Sequence, residues 1–280
     1  MLSYPHELPN TKILITVKTY PQPSNDHGEV VCTAGLLENG RWVRIYPVAS
    51  SMYDDKKYPK YSWVKINLIK HPHDTRAESY MPRLGLDEPI EFINRLGTDD
   101  YWAARKEYVC KEVFTSMRDL LTLYRSEDRS LGTLKPLKIV DFVIDETERE
   151  WKPQWQEKLK QMRLFDIADD CVAKPRRVIR KVPYTFKYRF LSEGDSNPRE
   201  LSIRDWEIGT LFWNSLRQAD GDEEIAKSLV RQKYFDEFVS QKDILLFLGT
   251  TYEYHKRRVE NPFMIIGVFY PTKTQQLSLF

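Results

Sequence analysis

Three clusters in this chain hold residue types that could do chemistry. The first is His71-Pro72-His73-Asp74-Thr75-Arg76-Ala77-Glu78-Ser79-Tyr80, with two histidines, two acids and an arginine behind a strand-like run. Asp74, Arg76 and Glu78 are the candidate catalytic cluster, and His71, His73 and Asp74 are the only metal ligands it could offer. Two histidines without a third strong ligand make a poor metal signature, so no metal is expected. The competing reading is a solvated loop held by an Asp74–Arg76 or Glu78–Arg76 pair. The second cluster is Asp141 or Asp145 followed by Glu150-Trp151-Lys152. An acid with Glu-x-Lys can hold a metal and polarise water, but that arrangement needs the Glu-x-Lys on a strand. Here Pro153 interrupts a charged stretch.

The third cluster is basic. Lys174 to Phe190 holds seven cations and no acid: Lys174, Arg176, Arg177, Arg180, Lys181, Lys187 and Arg189. Tyr184, Phe186, Tyr188 and Phe190 alternate with Thr185, Lys187 and Arg189, so an extended strand puts aromatics on one face and cations on the other. Such a strand could track a phosphate backbone. Alternatively, its aromatics are core and its cations merely solvated. A second basic, aromatic stretch, Tyr252 to Arg258, is expected at a loop tip between two apolar runs.

Composition narrows the classes. The 280 residues are 41% hydrophobic, 30% charged and 13% aromatic, which describes a folded chain with material for a sizeable core. A net charge of +2 carries no global signal for nucleic acid, so any basic patch must be local. Cys32, Cys110 and Cys171 are few and scattered, which excludes a disulfide framework and suits a reducing cytoplasm. The opening Met1–His6 reads as no secretory signal, and the longest apolar runs, Ile244–Leu248 and Phe263–Phe269, are too short for a bilayer. A cytoplasmic location without membrane contact is expected. No phosphate-cradling loop, dinucleotide fingerprint, Cys-x-x-Cys pair or Gly-x-Ser-x-Gly elbow occurs, and no cofactor is expected.

These clusters sit in a legible order of elements. Lys12–Lys18 is a strand, and Asn39-Gly40 between Val30–Leu37 and Arg41–Tyr46 predicts a tight hairpin. On its second strand Arg41, Val43 and Ile45 share one face, and Trp42, Arg44 and Tyr46 the other. Tyr61–Ile69 alternates again, so a small antiparallel barrel or sandwich is expected. A helix is expected to open at Asp87-Glu88-Pro89 and stop at Gly97, and another to span Asp99 to Arg125. Leu137–Ile144 is a further strand. Ser202 is expected to cap a helix to Leu216, and a second helix to run from Asp222 to Gln241. Ile244–Thr250 and Pro262–Tyr270 read as a long hairpin.

Two resemblances add to this. Gln276-Leu277-Ser278-Leu279-Phe280 resembles the pentapeptide by which bacterial DNA polymerases and repair proteins dock on the replication sliding clamp. The resemblance implies that Gln276 is a polar anchor, Leu277 a lesser contact, and Leu279 and Phe280 the pocket-filling residues. An extended tail of this kind suits groove recognition, although a strand docked on the chain's own core is the competing reading. Val31-Cys32-Thr33-Ala34-Gly35 followed by Trp42-Val43-Arg44-Ile45-Tyr46-Pro47 resembles bacterial proteins of mobile or defence loci that carry paired OB-like barrels.

The expected fold is α+β: an OB-like barrel domain with helices over 1–145, an α+β domain with the basic strand over 146–270, and an extended tail over 271–280. The resemblances imply a bacterial DNA-binding accessory protein recruited to the clamp, in defence or mobile-element maintenance, with DNA and the clamp as partners. The alternative is a metal-dependent nuclease or nucleotide-modifying enzyme, and a third reading is an interaction module with no nucleic-acid role.

Overall fold

The computed structural model describes residues 4–24, 28–49, 59–157 and 180–273. Its first part is built on β1 (Glu7–Lys18), β2 (Gln22–Ser24), β3 (Gly28–Leu36), β4 (Trp42–Ala49), β5 (Ser62–Lys70), β6 (Ser79–Pro82) and β7 (Glu91–Arg95). Five of them close into a barrel in the order β1–β3–β4–β6–β5–β1. Every pairing is antiparallel except β4–β6, where Arg44 faces Ser79 and Ile45 faces Tyr80 in parallel. The Asn-Gly hairpin forms as expected: Gly40 takes φ +85°, and the Asn39 carboxamide oxygen accepts from the Arg41 amide at 3.0 Å.

Period-2 alternation divides the barrel strands between two cores. Val43, Ile45, Val64, Ile66 and Tyr80 fill the interior. Leu14, Leu36, Trp42 and Trp63 point outward, yet they are buried too, against Leu245, Phe247, Ile266 and Phe269 of the second part. The outer face of this barrel is therefore a second core.

The helix expected from Asp87 is a correction. Glu91–Arg95 is the strand β7, which pairs with β5 from Lys65 to Ser62. Phe92 and Ile93 favour strand, and backbone pairing outweighs the proline-acid start signal. The long helix expected over Asp99–Arg125 splits into α1 (Asp99–Val109) and α2 (Met117–Glu127). Ser116 caps α2, accepting from the Arg118 amide at 3.2 Å. Between the two helices Phe114 bridges to Leu134.

The second part holds β8 (Leu131–Leu134), β9 (Lys138–Glu146), β10 (Tyr184–Leu191), β11 (Arg199–Ser202), β12 (Leu245–Thr250) and β13 (Phe263–Phe269). It also holds α3 (Trp206–Gln218), α4 (Glu223–Arg231), a π-helical turn over Gln232–Glu237, α5 (Phe238–Gln241) and α6 (Tyr252–Lys256). The strands run β9–β10–β11, then β13–β12–β8. A parallel bridge, Ile203 to Ile265, joins the two sheets where β11 meets β13. Because β8 runs on into β9, the path is first strand, second, third, fifth, fourth and back to the first, with a parallel contact between third and fifth. The first barrel follows the same path. The fold is thus α+β with an N-terminal OB-like barrel, followed by an α+β part whose strands repeat that barrel's order. A boundary at 145 would divide β9 from β10, which pair from Glu146–Tyr184 to Lys138–Leu191.

Tyr184, Phe186, Tyr188 and Phe190 point inward and meet Phe212, Tyr234 and Phe238 from the helices. Each such ring contributes about 1.5–3 kcal/mol through burial. Asp205, rather than Ser202, caps α3, while Asp222, at the expected start of the second helix, caps α4 by accepting from the Glu224 and Ile225 amides. Among the described residues no helix is long and apolar enough to cross a membrane.

The two parts are clasped at Tyr20. Its ring stacks on Trp206 at 5.7 Å, and its hydroxyl accepts from Trp213 Nε1 at 2.9 Å and donates to the Arg180 carbonyl at 2.7 Å. Gly209 makes room for that ring, since a Cβ there would stand 2.3 Å from Tyr20 Cδ2. Gly209→Ala therefore destabilises the protein by about 1–3 kcal/mol through overpacking. At an open helical position the same change gains about 1 kcal/mol. Urea unfolding of the variant gives the sign.

Candidate nucleic-acid interface

The 71–80 cluster lies in the β5–β6 connection of the first barrel, and the structure corrects its reading as a solvated surface pair. Arg76 is only 5% exposed and Asp74 only 8%. The Arg76 guanidinium donates from Nε to Asp74 Oδ1 at 2.9 Å and from Nη2 to Oδ2 at 2.6 Å. Ser79 Oγ donates to the same Oδ2 at 2.6 Å. Arg76 Nη1 reaches out of the barrel to the Thr250 carbonyl at the end of β12, at 2.6 Å. Arg44, from β4, donates to that carbonyl at 2.9 Å and to Ser130 Oγ at 2.8 Å. Glu78 accepts from the Ser130 amide and hydroxyl at 2.6 and 2.8 Å.

The electrostatics match a structural role. Burial and the nearby Arg76 push the Arg44 guanidinium down to about 10, which leaves it charged at neutral pH. Burial favours the neutral form of Asp74, but its hydrogen bonds and the Arg76 charge win and hold the carboxyl well below the usual carboxylate range. Both Asp74 oxygens are engaged, so this acid is occupied as a base or ligand. Asp74, Arg76 and Glu78 are brought together, but into a seam between the two parts. His71 and His73 lie beside one another with ring centroids 6.4 Å apart. Among the described residues no group of three His, Cys, Asp or Glu is placed to hold a metal. Sequence reasoning missed Arg44, Ser130 and Thr250. The one available signal was an arginine sharing a strand face with Trp42.

Directly against this seam sits the β12–β13 connection. The expected basic loop tip is an ordered turn, α6, capped by Thr251, whose hydroxyl accepts from the Tyr254 amide at 3.1 Å. His255 is buried beneath it, with Nε2 3.0 Å from Thr75 Oγ1. Burial and Arg258 depress its pKa, so the ring is neutral at pH 7. Tyr252 and Tyr254 stay 43% and 42% exposed. The Arg76 guanidinium lies 6.0 Å from the Tyr252 ring. Arg257 pairs with Glu253 and Arg258 with Asp128, each at 2.6 Å.

In the basic run, Lys174, Arg176 and Arg177 lie outside the described residues. Arg180 covers the Trp213 ring at 4.0 Å, and Lys181 donates to the Glu150 carbonyl at 3.1 Å. On β10 the expected alternation holds, with aromatics in and cations out. Those cations have acidic neighbours: Lys187 sits between Asp145 at 2.5 Å and Glu200 at 2.7 Å, and Arg189 meets Glu200 at 3.1 Å. Asp141 pairs with Arg231 at 3.0 Å. The outward face is thus charge-balanced, and Asp141 and Asp145 are committed to cations. Gln276, Leu277, Leu279 and Phe280 lie outside the described residues. Lys273, before them, is tied by its amide to the Gln241 carbonyl at 3.1 Å.

OB folds take oligonucleotides on the face of their second and third strands and on the loops after the first and fourth strands. In the first barrel that face, β3–β4, is covered by the β8–β12–β13 sheet through Leu36, Trp42 and Arg44. In the second part β10–β11 carries exposed charges, and α6 occupies the loop after the fourth strand.

The chain belongs to the family described as "Domain of unknown function (DUF8757)", whose profile matches residues 113–280. A second profile, "Domain of unknown function (DUF8758)", matches residues 9–111. No curated protein matches. Among solved structures, the chain is similar to a murine DNA binding protein bound with ds DNA, at 10% identity and a TM-score of 0.32, covering 96% of this chain and 95% of that one. It is also similar to a Replication Protein A heterotrimer bound to ssDNA, at 11% identity and a TM-score of 0.36, covering 87% of this chain and 43% of that one. Scores of this size decide no ligand for this chain.

Removing Arg76 leaves Asp74 buried and unpaired, so Arg76→Ala costs about 3–5 kcal/mol, against about 1 kcal/mol for a surface pair. The Asp74 carboxyl is depressed in the fold relative to about 3.9 when unfolded. Its contribution is therefore present above about pH 4 and is lost as pH falls through the folded value. Urea midpoints between neutral and acid pH should fall in the wild type over that window and change less in the variant.

Proposed function

We propose that this chain is a DNA-binding accessory protein that a bacterial replication sliding clamp recruits through Gln276, Leu277, Leu279 and Phe280. The observation that carries the DNA reading is the doubled strand path. Two successive units share one OB-like order, and the chain's basic and aromatic stretches fall in the connections that such barrels use for oligonucleotides. The run from Lys174 to Lys181 lies between β9 and β10, and Tyr252 to Arg258 lies between β12 and β13. The clamp reading rests on the pentapeptide itself, and a setting in defence or mobile-element maintenance rests on the N-terminal resemblance. The nuclease alternative is the weaker one, because Asp141 and Asp145 are neutralised by Arg231 and Lys187.

Replacing Arg176, Arg177, Arg180 and Lys181 by alanine should weaken DNA binding and flatten its salt dependence, since fewer counterions are released. An unchanged slope of log affinity against log salt removes the run from the interface.

Clamp recruitment has its own check. A short extended peptide binds the clamp with an affinity on the order of micromolar, about −8 kcal/mol. Simultaneous DNA contact raises the apparent affinity by about 10²–10⁴. Leu279→Ala with Phe280→Ala in the full chain should abolish clamp capture while leaving stability and DNA binding as in the wild type. Titration of purified clamp against both proteins decides it, and equal binding sinks the clamp reading.

A further inference from the structure

The first barrel has lost its strand face to the second part, and the open face of the second part is charge-balanced. What projects beside both is the α6 ridge. Tyr252 leans toward the β5–β6 connection of the first barrel, where Arg76 lies 6.0 Å from its ring. On the other side, Arg204, just past β11 in the second part, donates its amide at 2.7 Å to the carbonyl of Ile265, near the start of the β13 strand that follows the turn. The turn beneath them is rigid: Thr251 caps it, and His255 anchors it on Thr75. The two rings are therefore held in place with much of their surface still exposed, at the junction of the two parts.

We propose that this ridge binds single-stranded DNA, whose unpaired bases stack on Tyr252 and Tyr254 while the strand crosses from the first barrel's β5–β6 connection to the β11 end of the second part. The proposal deepens the DNA reading and rests on it. Charge argues against duplex as the ligand. Glu253 and Asp128 already engage Arg257 and Arg258, which leaves Lys256 as the cation of the turn with no acid paired to it among the described residues. Duplex affinity depends chiefly on phosphate neutralisation, and Lys256 with Arg204 supplies little of it. Duplex bases are also stacked on each other and present no free faces to a tyrosine ring. Unpaired bases do, and a stacked ring is worth about 5- to 150-fold in affinity, whatever the base.

The test is fluorescence anisotropy of the full chain with an oligothymidine of about 20 nucleotides, its duplex, an abasic strand and the matching RNA. Single-stranded DNA should bind tightest, and the abasic strand should lose most of the affinity. Tyr252→Ala and Tyr254→Ala should each weaken single-strand binding by about 5- to 150-fold with an unchanged salt slope, while Tyr252→Phe and Tyr254→Phe keep it. Alanine variants that bind like the wild type, duplex bound as tightly as the single strand, or RNA bound more tightly than DNA would each overturn the proposal while leaving nucleic-acid binding intact. Absence of binding to every strand overturns the broader DNA reading together with it.

Discussion

Two arginines of the N-terminal barrel meet on a single carbonyl of the second part, and the arrangement of the molecule depends on that contact. A buried guanidinium without partners would cost several kcal/mol. Arg44 avoids that cost only when the Thr250 carbonyl and Ser130 are present, and the second part supplies both; Arg76, already paired with Asp74, completes its bonds on the same carbonyl. A second buried pair lies at another point of the same interface. Lys60 of the first part sits between Asp205 at 2.9 Å and Glu207 at 3.2 Å. Burial pulls its pKa down, but the two carboxylates outweigh burial and keep the ammonium charged. Asp205 also caps α3. Separating the two parts would leave Arg44 and Lys60 without their partners at once, so the pair behaves as one body.

That constraint decides which surfaces remain for a ligand. Docking buries Trp42, Leu36 and Arg44, which an isolated barrel would present on its second and third strands. It also brings the β5–β6 and β12–β13 connections into contact, through His255 and Thr75. Loops at equivalent places in the two strand paths thereby form one ridge. The β10 strand shows the complementary case. Its alternation puts cations on the surface, but neighbouring strands place Asp145 and Glu200 beside them. Exposed pairs of this kind are worth about 0–1 kcal/mol each, so the face is neutral without being locked.

Much of this was legible from residue order. The Asn-Gly hairpin, the inward aromatics of β10, the barrel class and the basic-aromatic connection at Tyr252–Arg258 follow from local rules, because turn chemistry and period-2 alternation act within a few residues. The helix expected from Asp87 failed for the same reason in reverse. Its start signals were local, and the β5 edge that captured Glu91–Arg95 lies about thirty residues earlier in the chain.

What the sequence by itself determined is therefore the set of elements and the faces they turn inward, since side-chain alternation and capping need no distant partner. Only the tertiary structure decided that the two halves trace the same strand path, because that order is set by backbone pairing and leaves no repeat in the residues. It also decided the meaning of Asp74, Arg76 and Glu78. Three charged residues in a loop look the same whether water or another domain covers them. The cover here comes from Ser130 and Thr250, more than fifty and nearly a hundred and eighty positions away. Burial by residues that remote turns a candidate site into a seam, and no pattern within the loop could record it.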